Sequence, residues 1–246
     1  MLSLYLKEII SLKFKLISSF IITLLTWSIF FIFSKDSITR ISSEDGILES
    51  LTAICFLLSS IFLLFSNKKH NFFIYALSLI LLFGAGEEIS WGQRIFGWQT
   101  PSEMKKLNVQ GETTIHNIEI FNRTKFDNTY KSGTDNLFTM DVLYRIFCVT
   151  FGIILPFLVF HFDIIKRLTV FFKIPVPPIS IGIFFVISYL FLRFIHAYIG
   201  SDMDTKLQTP EIYEFTTSYF WLIISYFFYE NRTKIILGQD LKSSLK

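Results

Sequence analysis

Six stretches of this chain are apolar and almost free of charge over the length a helix needs to cross a bilayer. They are Phe14–Ser34, Ile47–Ser66, Phe72–Ile95, Thr139–Phe162, Ile179–Gly200 and Glu211–Tyr229. About 20 helical residues span a hydrocarbon core, and backbone polar groups inside it must be satisfied within the segment itself. The expected fold is therefore all-α: a polytopic membrane protein, one integral domain over residues 1–246, built as a bundle of about six transmembrane helices. Composition agrees, because 52% of the 246 residues are hydrophobic and 30 are Phe. A soluble domain of this length has no use for so much apolar surface.

The links between these runs differ sharply. Asn67-Lys-Lys-His-Asn71 is short enough to make a tight hairpin of the second and third spans. Lys173-Ile-Pro-Val-Pro-Pro178 punctuates the entry to the fifth, since proline cannot continue a preceding helix. The long connection, residues 97–138, is polar and carries turn signals at Gln99-Thr-Pro101, Gly111 and Ser132-Gly133. A link of that length is functional or disordered more often than it is a mere spacer. Ile115, Ile118, Ile120 and Phe121 give it apolar anchors, so it is expected to fold as an extracytoplasmic lid, with Gln110, Glu112, His116 and Asn117 over the helix ends.

Lys and Arg are denser in the short links that share a side with the N-terminus. The positive-inside bias therefore puts both termini in the cytoplasm and makes the bacterial inner membrane the expected location. The basic, amphipathic start, MLSLYLKEIISLKFK, runs into the first span without a small-residue cleavage site and reads as an uncleaved anchor. A net charge of +3 and the absence of a basic stripe argue against a nucleic-acid partner. Cys55 and Cys148 lie inside spans without a CxxC spacing and read as packing residues.

Against this background the run Gly86-Glu-Glu-Ile-Ser-Trp-Gly-Gln-Arg94 stands out. Two carboxylates, an amide, an indole and a guanidinium continue an apolar span, and charge inside a bilayer is costly unless partners, water or a ligand meet it. Other spans carry ionisable groups at the same expected end. The second opens with Asp45 and Glu49, one turn apart, the fourth with Asp141, Tyr144 and Arg145. The fifth closes with Arg193 and His196, and the sixth opens with Glu211 and Glu214. Acid–base chemistry is expected from Glu87, Glu88, His116 and His196. Substrate binding is expected from Arg94, Arg145, Arg193, Glu49, Asp141, Glu211 and Glu214. The same Glu87, Glu88, His116 and His196 could together bind a divalent metal, although no HExxH spacing occurs.

The segment GAGEEISWGQRIFGWQTP, followed by NVQGETTIHN, resembles a group of bacterial multi-spanning membrane proteins that share this run. The likeness covers about residues 84–117 clearly and SEDGILES loosely, and it implies a multi-pass membrane protein but no particular activity. Three functions are open to such a chain. The first is a membrane hydrolase or group transferase acting on a lipid or lipid-linked substrate. The second is a transporter or channel that binds a cation or relays protons. The third is a sensor or assembly subunit whose charges only lock helices together.

Overall fold

The computed structural model describes residues 2–43, 46–66, 71–127, 129–200, 202, 205–206 and 208–232, leaving aside the side chains of residues 2–9 and Arg94. Asp45, the 67–70 link and the Arg94 side chain, all singled out from the sequence, lie outside the described residues. Six long helices organise the chain: α1 (Leu2–Ile32), α2 (Ile47–Ser66), α3 (Phe72–Glu88), α4 (Met140–His161), α5 (Ile179–Ile199) and α6 (Thr209–Glu230). Four of them are long and apolar enough to cross a membrane: α1 over Ile10–Ile32, α2, α4 and α5.

The other two depart from that description for physical reasons. α6 is the central helix, in contact with α1, α2 and α5. It buries Thr216, Thr217, Ser218 and Ser225, and the first three hydroxyls return their hydrogens to backbone carbonyls one turn earlier. A helix enclosed by helices can carry such residues, whereas one facing lipid is held to apolar ones. α3 has only 17 residues, because the chain turns away at Glu88 and does not continue to Ile95.

Two close approaches fix the remaining geometry. Pro156 cannot donate to the helical ladder, and α4 accommodates it through a π turn at Thr150–Ile154, closed by Leu155 N–H bonding to Thr150 O. Gly152, inside that turn, meets Gly182 of α5 so tightly that a Cβ on Gly182 would lie 1.8 Å from the Gly152 carbonyl oxygen. After α4 an amphipathic helix, Asp163–Phe172, exposes Ile164, Leu168, Phe171 and Phe172. Lys166, Arg167 and Lys173 accompany them, the pattern of a helix that lies along a membrane surface.

One end of the bundle is tied by charge. Lys15, 2% exposed, reaches Glu230 at 2.5 Å, while Ser11 donates to the same carboxylate at 2.7 and 2.8 Å. The ammonium also lies 5.0 Å from the Tyr226 ring. Asn71 caps α3 through the Phe73 N–H, and its side-chain amide donates to Lys173 O at 2.6 Å. Because Lys15 is enclosed and Glu230 is 38% exposed, the two partners are unequal. Glu230→Ala is expected to cost about 2 kcal/mol, more than Lys15→Met, because it strands a buried charge. Thermal unfolding of the two variants in one detergent checks the order.

Candidate functional site

The site begins where α3 stops. Ser90, Trp91 and Gly92 all have positive φ, at 46°, 53° and 79°. For Ser and Trp this left-handed backbone is strained by about 1–3 kcal/mol each. The turn folds the Trp91 ring back onto α3, where its indole N–H donates to Glu87 Oε1 at 2.6 Å. The ring covers Gly86 so closely that a Cβ there would sit 2.8 Å from it. Glu87, Ser90 and Arg94 have the spacing of one helix face, but the turn puts them on three separate elements.

Glu87 is the anchor of the long connection. Its Oε2 accepts the backbone N–H groups of Ile115 at 2.7 Å and His116 at 2.8 Å, and stands 3.1 Å from His116 Nδ1. The carboxylate is enclosed, the residue being 5% exposed. The connection also braces itself. Asn108 Oδ1 accepts the N–H groups of Gln110 and Glu112, and Asn108 Nδ2 donates to Thr114 O. Gln93 Oε1 accepts Thr113 N–H at 2.7 Å, and Ser90 donates to Glu112 at 3.0 Å. Farther along, Phe121 O accepts Met140 N–H at 2.8 Å, which ties the end of the connection to the start of α4.

Between this roof and the helices lies a cavity of about 470 Å³. Its back is formed by Glu49 and Phe56 of α2 with Pro210, Glu211 and Glu214 of α6. One side is α3 from Ile80 to Glu88, and the other is α4 from Met140 to Phe147. The roof contributes Gln110, Glu112, His116, Asn117 and Arg123, among others. Polarity is graded along three walls. Glu49, Glu87–Glu88 and Asp141 stand at the roofed end, whereas Phe56, Ile80, Leu81, Phe83 and Phe147 lie one or two turns farther in.

The charges in the cavity are not equivalent. Asp141 is paired with Arg123 from the roof and stands 3.4 Å from Arg145 of its own helix. Arg145 also lies 5.6 Å from the Tyr213 ring. Burial holds the Arg123 guanidinium below its usual value, and the nearby Glu214 carboxylate works against that shift. Glu88 has a different setting: its electrostatic neighbours are Glu214, Glu211, Glu49 and Glu87, all acids. No described residue donates a hydrogen bond to the Glu88 or Glu214 carboxylate.

Seven of the eleven residues singled out from the sequence line this cavity: Glu49, Glu87, Glu88, His116, Asp141, Glu211 and Glu214. Arg145 stands directly behind Asp141. His196 and Arg193 do not line it. α5 turns Leu192 and Ile195 inward, which leaves Arg193 exposed and His196 bonded to Thr209 Oγ1 at 2.7 Å. Arg123 was missed, because a cation in an irregular segment carries no periodic signal of where it points. The metal reading finds no support in this arrangement. Among the described residues no three His, Cys, Asp or Glu side chains gather as a metal site requires. Glu87 is occupied by N–H donors and His196 by a threonine. No protein-family model matches the chain, and no curated protein or solved structure does either.

Proposed function

We propose that the protein is a multi-pass membrane enzyme that hydrolyses, or transfers a group on, a lipid or lipid-linked substrate held in this cavity. The observation that carries the reading is the polarity gradient. Ionisable groups stand at the roofed end of α2, α3 and α4 and apolar walls lie beneath them, which is the profile of an amphiphile. Glu88 is the group placed to exchange a proton with substrate. It stands at the cavity wall, and no described N–H or O–H engages it, unlike Glu87. Glu214, Glu211, Glu49 and Glu87 are the acids whose charge bears on it. A carboxyl group at the wall of an enclosed cavity, within reach of a bound molecule, is placed for general acid–base work. Arg123, held by Asp141, is the cation available to an anionic group of the substrate.

In this reading all six long helices cross the membrane, with the cavity at the extracytoplasmic face and both termini in the cytoplasm. The Lys15–Glu230 pair supports the even count, because it brings the start of α1 and the end of α6 together. The density of Lys and Arg in the links on that side supports the orientation. Tags at either end that react from outside intact cells would overturn it.

The activity is tested with the full chain reconstituted in vesicles of total bacterial lipid, followed by mass spectrometry of the lipids. The expected result is a product that forms with the wild type and falls by about 10²–10⁴-fold with Glu88→Gln. A lipid profile that the wild type leaves unchanged would remove the enzyme reading.

A further inference from the structure

The cavity volume limits what can be inside it. About 470 Å³ suits a headgroup or other small polar body, well short of a whole lipid with its chains. A lipid held here must therefore pass its chain out through a wall. α3 packs along α2, α4 packs along α5, and α3 and α4 do not pack closely against each other. The residues that face the gap from either side are apolar and open: Ile80 is 50% exposed and Leu143 38% exposed, and both line the cavity, as do Phe83 and Phe147. The cavity thus has a sideways opening at the depth where its walls become apolar.

The polar end specifies the headgroup. Asp141 already has Arg123 and Arg145, and Glu87 has its four donors. Glu88 has neither a cation nor a donor among the described residues. It is half-buried, its electrostatic neighbours are acids, and it lines the cavity. A half-buried carboxylate in acidic company is completed by a positive group brought from outside. Arg123 stands nearby, close to Glu214, and is available to an anionic oxygen on the same molecule.

We infer that the cavity takes an ammonium-bearing lipid sideways from the bilayer, with its cationic group at Glu88 and its chain leaving between α3 and α4 past Ile80, Phe83, Leu143 and Phe147. The inference rests on the enzyme reading for its assumption that the ligand is a lipid, and it adds the headgroup charge and the entry route.

The test uses the full chain in vesicles containing phosphatidylethanolamine or phosphatidylglycerol, each with a photoreactive diazirine on one acyl chain. After irradiation, labelled peptides are mapped by mass spectrometry. The expected result is labelling by the ethanolamine lipid concentrated at residues 80–83 and 143–147, at least about tenfold above the glycerol lipid. Glu88→Gln, which preserves shape, should abolish that difference. Leu143→Trp, which fills the opening and leaves the carboxylate intact, should suppress labelling by both lipids, and the thermal unfolding of each variant confirms folding. Equal labelling by the two lipids, or labelling indifferent to Glu88→Gln, would mean ordinary annular lipid and would overturn the inference. Headgroup-dependent capture without any product sustains the inference while removing the enzyme reading. Turnover confined to lipids without an ammonium group does the reverse.

Discussion

Replacing Glu87 by alanine is expected to cost about 3–5 kcal/mol and to release the roof of the cavity while leaving the long helices folded. The carboxylate serves two segments at once: the indole of Trp91 on the strained turn, and the backbone and ring of Ile115–His116 on the connection. Without it, the enclosed N–H groups must find water, and nothing compensates for the left-handed backbone at Ser90 and Trp91. Amide hydrogen exchange at 113–117 should accelerate by roughly a hundredfold or more, since each 1.4 kcal/mol is a factor of ten. Exchange in α2, α5 and α6 should be unaltered. Glu87→Gln should fall between the two, because an amide keeps one acceptor and turns an N–H toward a donor. Unchanged protection of the 113–117 amides in Glu87→Ala would show that the roof is held by its own turns.

The second large effect concerns the crossing of α4 and α5. Gly182→Ala places a methyl 1.8 Å from the Gly152 carbonyl oxygen and 2.5 Å from its carbonyl carbon. Backbone cannot yield as a side chain can, so the helices must separate, at a cost of about 3 kcal/mol or more. Gly152→Ala is expected to be milder. Its methyl meets the Phe185 ring at 2.8 Å, and a ring can tilt. The consequence reaches the site, because α4 carries Asp141 and Tyr144, the latter bonded to Thr217 of α6. Gly182→Ala should therefore lower both the unfolding temperature and ligand capture. If the two glycines proved equally tolerant of alanine, the crossing would be looser than the structure has it.

Much of this architecture could be read from hydropathy. The runs Ile47–Ser66 and Ile179–Gly200 coincide with α2 and α5 almost to the residue, because an uncharged apolar stretch has few other ways to satisfy its backbone. The end of α3 could not be read the same way. Gly86 and Gly92 are visible in the sequence, but the reason for them, a tryptophan folded back onto its own helix, is a three-dimensional contact. The collection of acids at one end was legible from their shared position on successive spans. Which of them is engaged and which is open was not, since the donors to Glu87 come from backbone N–H groups 28 and 29 residues away. Arg193 and His196 show the complementary error. Spacing puts both near the correct end of α5, but the direction in which a helix faces is decided by packing, and Leu192 and Ile195 took the inner side.

The Lys15–Glu230 pair has a consequence for how the chain is made. Its two members are separated by 215 residues, so at ordinary rates of synthesis Lys15 exists for roughly 10–40 s before its counter-ion leaves the ribosome. During that interval α1 carries an uncompensated ammonium close to its basic, polar end, where a lysine can hold its head at the lipid–water boundary. Only when α6 packs beside it can α1 take the position in which Lys15 is enclosed. The last long helix is also the central one, so the bundle closes around its final arrival, and the buried pair records that the closure is complete.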